Sequence, residues 1–147
     1  MAAVAGTSSG LYNIGASGSR ISITATTDVT EYVIQVCDSG SNAGSIDVTL
    51  FSDNANEPGS TVDSGLTKEI PTSALPDCDS YDYTTVTLDA TYQNLPAGTY
   101  WLHVQEIGAA IVKVGYSIAT GEKWCVDPEW DCYVDYQGGE MEVYGCQ

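Results

Sequence analysis

Basic side chains are scarce in this sequence. Lys and Arg together number 4 against 20 Asp and Glu, so the formal net charge of the 147-residue chain is −16 at pH 7. A molecule with that charge repels phosphate backbones and anionic lipid headgroups. We therefore expect no nucleic-acid partner and no electrostatic association with membranes.

Long apolar runs are also lacking. No stretch approaches the ~20 apolar residues that a membrane-spanning helix needs, so no membrane insertion is expected. Met1 to Gly10 has neither a basic residue nor an apolar run, and is not expected to act as a signal peptide. Hydrophobic residues still make up 43% of the chain, enough for the core of one ordinary domain. The sequence predicts an N-terminal arm over residues 1–10 and a single domain over residues 11–147.

Helical periodicity is absent as well. No window repeats apolar residues at i, i+3, i+4 and i+7 over three turns. Apolar and polar residues instead alternate around Ile21, Ile46 and Val86, as in strands with one buried face. Further strands are predicted at Tyr32–Cys37, Ser60–Gly65, Tyr100–Gln105, Ile111–Ile118 and Glu140–Tyr144. The chain is predicted to be all-β, an antiparallel β-sandwich of jelly-roll type with about eight to nine short strands.

Metal-type cysteine spacing is missing. The sequence has five cysteines but no C-x-x-C pair, and it has a single histidine, so it lacks the ligands of a zinc site. Disulfides are the better interpretation, and they indicate an extracellular or cell-surface location. We expect Cys37 to pair with Cys78, and Cys125 with Cys132. Cys146 is then left over, either as a free thiol or as a cross-link to another chain.

Three short segments carry a family likeness by their order and spacing. They are Leu50 to Ser60, which contains Ser-Asp-Asn and Pro-Gly, then Leu95 to Leu102, and finally Tyr136 to Gly145. Together they resemble a group of secreted bacterial jelly-roll modules often found beside surface-anchoring signals. The resemblance implies an extracellular β-sandwich that is usually non-catalytic, and it transfers no catalytic residue. The cysteines and the stretch before Leu11 depart from the pattern.

The chain offers little that is typical of catalysis. Gly6 to Gly10 matches G-x-S-x-G, but a nucleophile elbow needs a buried strand before it, and only five residues precede this motif. His103 alternates with Leu102 and Val104, so we expect it on the opposite, solvated face of its strand in a structural role. Pairs of carboxylates are uninformative among 20 acids. We predict that the protein is not an enzyme.

The acidic loops allow a calcium hypothesis. Asp53 and Asn54 lie in one predicted loop, and Asp77, Asp79 and Asp82 lie in another. Calcium binds six to eight oxygen ligands, which such loops supply, although no EF-hand spacing is present. Calcium is thus a candidate cofactor. The alternative is that these are solvated loops of a protein kept soluble by its charge.

Aromatic residues near the loops allow a glycan-binding hypothesis. Trp and Tyr suit positions where one end of the ring is apolar and the other is wet. The alternative is that the tryptophans close one end of the core, because Trp is mostly buried on average. The candidate glycan-binding residues are Trp124, Trp130, Tyr133, Tyr136, Tyr81 and Tyr83.

The N-terminal arm supports a different function. It consists of small and uncharged residues, and an extended segment of this kind can add a strand to the sheet edge of a neighbouring molecule. Lys, a common guard of exposed edge strands, is scarce. We therefore predict a structural or adhesive subunit that contacts copies of itself or other extracellular proteins through its arm and through Leu11, Tyr12 and Ile14. A carbohydrate-binding module is the alternative.

Overall fold

The structure is a computed structural model. It describes the backbone of residues 2–4, 10–14, 16–79, 82–126, 131–138 and 141–146, and the side chains of residues 16–79 and 82–114. These residues contain no α-helix, and hence no helix long and apolar enough to cross a membrane. In chain order the strands are β1 (Ala2–Val4), β2 (Gly10–Ile14), β3 (Ala16–Ile23), β4 (Thr27–Ile34), β5 (Val36–Asp38), β6 (Ser45–Asn54), β7 (Glu57–Thr61), β8 (Lys68–Pro71), β9 (Thr84–Leu95), β10 (Gly98–Ile107), β11 (Val112–Val126), β12 (Asp131–Gly138) and β13 (Met141–Cys146).

The strands form two sheets. In the described residues, sheet A contains four strands in the order β1-β13-β4-β9, and every neighbouring pair is antiparallel. Sheet B, counted over the same residues, contains nine strands. Six of them follow the order β12-β11-β3-β10-β6-β7, while β2 and β5 also pair with β11 and β8 pairs with β6. The prediction of an all-β, antiparallel sandwich is confirmed. The jelly-roll connection order stays a prediction, and more strands are described than expected because several are only three to five residues long.

Period-two alternation places the core between the sheets. Ile46, Val48 and Leu50 of β6 belong to the buried cluster, and Leu50 is the register partner of Leu102 on β10. Sheet A contributes the facing side chains, including the fully buried Ile34. Each side chain of this type contributes about 1.5–3 kcal/mol when fully buried.

Tyr32 packs at the side of the core, next to a 3-10 turn formed by Ser64–Leu66. Its ring is fully buried, its hydroxyl donates to the carbonyl oxygen of Leu66 at 2.7 Å, and burial raises its pKa. The Asp63 carboxylate accepts a hydrogen bond from the Gly65 amide at 2.7 Å and begins this turn. The strand predicted for Ser60–Gly65 therefore lies earlier, at Glu57–Thr61, because the chain bends at Val62 and enters the 3-10 turn after Asp63.

The loop before β6 depends on Gly44. Its φ is +76°, a conformation that favours glycine, and an added Cβ would collide with the backbone of the turn at 107–110. Its carbonyl oxygen accepts a hydrogen bond from the Thr72 amide at 3.1 Å, at the start of a second 3-10 turn, Thr72–Ala74. Gly44 therefore lets three segments meet at the beginning of β6.

Candidate functional site

A disulfide joins Cys37 of β5 to Cys78, as the sequence predicts. The two Cα atoms are 5.0 Å apart, and the bond spans a sequence separation of 41 residues. The Asp38 amide next to it donates to the Pro76 carbonyl oxygen at 2.9 Å. This disulfide is compatible with an oxidising location outside the cytoplasm.

An acidic groove of about 300 Å³ lies beside the disulfide. Its charged lining residues are Asp38, Asp77, Asp79 and Lys113. The Asp38 carboxylate accepts hydrogen bonds from the Ser41 hydroxyl at 2.6 Å and the Ser41 amide at 3.0 Å. The bond from the Ser41 hydroxyl is the main reason that the pKa of Asp38 is lowered. The Asp38 side chain therefore stabilises the loop that follows it, because it accepts hydrogen bonds from Ser41.

The structure keeps the two predicted groups of calcium ligands apart. Asp53 and Asn54 lie at the end of β6, whereas Asp77 follows the 3-10 turn that contacts Gly44 at the beginning of the same strand. In the part of the chain that the structure describes, no group of three or more His, Cys, Asp or Glu could hold a metal ion. Asp82, just before β9, lies in these described residues too. Calcium binding stays a prediction.

Asp53 instead helps to cover the outer face of sheet B, which is the face that points away from sheet A. One of its carboxylate oxygens accepts a hydrogen bond from the Trp101 indole nitrogen at 2.8 Å, and Trp101 is fully buried. Pro58 of β7 is also buried, and its Cγ would lie 3.1 Å from a Cβ added at Gly18 on β3. Since β10 and β6 separate β3 from β7 in the sheet, the β6–β7 hairpin folds across this face.

His103 is buried on that same outer face. It alternates with the core residues Leu102 and Val104, as predicted, but it is only 3% exposed, so the prediction of a solvated face is wrong. Its ring stacks on Phe51 with ring centroids 4.2 Å apart. Burial disfavours the charged imidazolium and lowers the pKa of His103 to about 4. The sequence does not predict the burial of His103, because the hairpin that covers this face is formed by β6 and β7, whereas His103 lies on β10.

Most of the candidate glycan-binding residues lie where side chains are not described. Trp130 and Tyr81 lie outside the described residues, and Tyr136 is a register partner of Ile118 in the β11–β12 ladder. Tyr83 is described and is 42% exposed, just before β9 in sheet A.

The backbone register aligns Trp124 of β11 with Tyr133 of β12. Trp124 is also the register partner of Ser19 on β3, and Ser19 is the partner of the core residue Leu102. The glycan-binding role of Trp124 and Tyr133 stays a prediction.

The remaining cysteines are described only by their backbone. Cys125 and Cys132 are register partners on β11 and β12. Facing Cα atoms of antiparallel strands are about 4.5–5.5 Å apart, which lies within the roughly 4.4–6.8 Å that a disulfide requires. Their pairing stays a prediction, as does the role of Cys146, which is in register with Asp28 of β4.

The N-terminal arm, residues 1–10, supplies β1 to sheet A of its own chain. In β1, Ala2, Ala3 and Val4 are in register with residues 141–143 of β13 at the edge of sheet A. Strand β2, which contains the predicted contact residues Leu11, Tyr12 and Ile14, is paired with β11 in sheet B.

The opposite edge of sheet A is strand β9. In the described residues, its only ladder partner is β4. Its only charged residue is Asp89, which forms an ion pair with Lys68. Thr85 and Thr87 are exposed. In the sequence, this strand can be noticed as twelve consecutive residues with a single charge in a very acidic chain. The alternation of its residues does not show that it lies at an edge.

Comparisons with known proteins add no family. The chain matches no protein-family model, and a search of curated proteins returns no match. Its function must therefore be argued from the residues described above.

Proposed function

We propose that this protein is a structural subunit of an extracellular assembly, acting through contacts with copies of itself and without catalysis of its own. The supporting observation is the N-terminal arm, whose strand β1 forms one edge of sheet A. The arm therefore has the strand-forming sequence and the edge location that pairing with a sheet edge of another copy requires.

Pairing through β1 leaves the fold of each copy intact. In the described residues β1 has a single ladder partner, β13, so its other edge is not paired within the chain. Adding a strand to a sheet edge also satisfies backbone donors and acceptors without specific side chains.

The net charge of −16 opposes contact between copies. The repulsion is long-ranged at low salt, because the Debye length is about 10 Å at 0.1 M and about 3 Å at 1 M ionic strength. We therefore propose that assembly occurs in media of moderate or high ionic strength, which an extracellular location provides.

The surroundings of His103 support a non-catalytic function. A general acid or base must reach the substrate and titrate near the working pH. The His103 ring is 3% exposed and its pKa is lowered to about 4 by burial. The structure thus gives this side chain a packing role against Phe51.

Removing the arm tests the proposal. Sedimentation velocity of the full chain, over a range of protein and salt concentrations, should reveal species larger than a monomer. A variant in which residues 1–10 are replaced by a Gly/Ser segment of equal length should sediment as a monomer while keeping its β-rich circular dichroism spectrum. If the full chain and this variant are both monomeric under all conditions, the proposal is wrong.

A further inference from the structure

We propose that strand β9 of one copy accepts strand β1 of the next copy, so that sheet A continues from chain to chain. This inference rests on the proposed function and names the acceptor surface. It starts from the two edges of sheet A, β1 and β9, each of which has a single ladder partner in the described part of the chain.

The strand directions of the two edges are complementary. All three neighbouring pairs in sheet A are antiparallel, so directions alternate across the order β1-β13-β4-β9. A second copy placed beside the first in the same orientation therefore brings its β1 antiparallel to β9. Antiparallel pairing is the more stable arrangement per residue.

The available length on β9 also suits β1. Asp89 is paired with Lys68, and the 3-10 turn Ser64–Leu66 lies beside residues 89–92, where a groove of about 170 Å³ separates them. Strand β8 also lies beside β9, so the proposed acceptor is the stretch 84–88, five residues long, which is outside the ion pair and the groove. Strand β1 has three residues, so it fits within this stretch.

Charge favours these two edges over the rest of sheet A. Strand β1 has no charged residue, and residues 84–88 of β9 have none. The inner strands carry Asp28, Glu31 and Glu142. Copies that meet at β1 and β9 therefore bring together the uncharged margins of a strongly acidic molecule, where repulsion at contact is smallest.

The register predicts which residues meet. Within one chain, Ala3 is in register with Glu142, Glu142 with Val33, and Val33 with Thr85. Ala3 and Thr85 therefore share a face of sheet A, the face on which Thr85 is exposed. A one-residue slip would exchange the two faces of the added strand, so Ala3 should lie opposite Thr85 or Thr87.

The contact leaves one free edge at each end of a growing assembly. The two surfaces that meet, β1 of one copy and β9 of the next, are different, so the contact is heterologous. Such contacts close into rings or extend into filaments rather than stopping at a dimer.

Cysteine cross-linking tests this arrangement. In a Cys146→Ser background, a chain carrying Ala3→Cys is mixed with a chain carrying Thr85→Cys or Thr87→Cys, oxidised, and analysed on non-reducing gels and by mass spectrometry. We expect a mixed cross-link at twice the monomer mass for Thr85 or Thr87. The control, Thr24→Cys, lies in an exposed turn outside the strands and should give none.

A single chain carrying Ala3→Cys and the reactive β9 cysteine should form a ladder of covalent oligomers. The two positions cannot pair within one chain, because two strands lie between them and three inter-strand spacings of about 4.8 Å place them about 14 Å apart, beyond disulfide reach.

The experiments distinguish a failure of this inference from a failure of the proposed function. Cross-links only between two β9 cysteines would show that copies meet β9 to β9. Assembly in sedimentation without any β1–β9 cross-link would place the contact on another surface. Either result overturns this inference and leaves the proposed function standing, whereas a monomer under all conditions overturns both.

Discussion

Lowering the pH from 7 to about 4.5 should destabilise the fold through His103. Burial against Phe51 lowers the pKa of this side chain to about 4 in the folded chain, from its ordinary value of 6.5. Between those values the unfolded chain binds more protons than the folded one, so the free energy of unfolding falls as the pH is lowered. His103 is the single histidine of the chain, so no other imidazole contributes.

The size of the effect follows from the two pKa values. Their difference of about 2.5, at ~1.4 kcal/mol per pH unit, corresponds to about 3 kcal/mol once both states are protonated. About 2 kcal/mol of this is lost by pH 4.5. Burial raises the pKa of Asp47 and Glu106, and these groups act in the opposite direction, because the folded state then binds more protons as the pH falls.

A comparison with His103→Gln isolates the histidine. The carboxylate contributions are common to both proteins, so urea unfolding at pH 7 and 4.5 should show wild type losing about 2 kcal/mol more than the variant. The proton NMR signal of the imidazole should titrate with a midpoint near 4. Equal pH dependence of wild type and variant, or a midpoint near the ordinary value of 6.5, would refute the reasoning.

Three further perturbations have expected outcomes. Replacing Cys37 and Cys78 with Ala removes a closed loop with a sequence separation of 41 residues, so denaturant unfolding should show a loss of about 4 kcal/mol; no loss would mean that the bond does not constrain the unfolded chain. Gly44→Ala should cost more than about 3 kcal/mol, because it combines positive φ with a backbone collision, whereas Gly40→Ala, with φ +91° and open space around it, should cost about 1–2 kcal/mol. Raising the ionic strength should strengthen association measured by sedimentation, because it screens the charge of −16; weaker association in salt would contradict a neutral contact surface.

Local pattern is sufficient for the strands around Ile21, Ile46 and Val86 and for their inward residues. Ile46, Val48 and Leu50 alternate with polar residues, and the structure buries all three. Alternation in a strand is a property of neighbouring residues, so it can be seen in the sequence alone. The Cys37–Cys78 pairing was likewise predicted, since both residues adjoin loops and the chain lacks metal-type spacing.

Contacts between distant segments account for what the sequence missed. The expected solvated face around His103 is buried because Pro58, from another hairpin, reaches Gly18 across two strands. This burial cannot be derived from composition or spacing, because sheet order and hairpin curvature depend on long-range pairing.

By itself, the sequence determined an acidic, all-β domain with a disulfide and a small, uncharged N-terminal arm. These are properties of residue type and of neighbours along the chain. Only the tertiary structure decided that the arm lies at one edge of a four-stranded sheet and that an almost uncharged strand lies at the other. Edges are defined by which strands lack a neighbour, and that depends on the pairing of the whole chain.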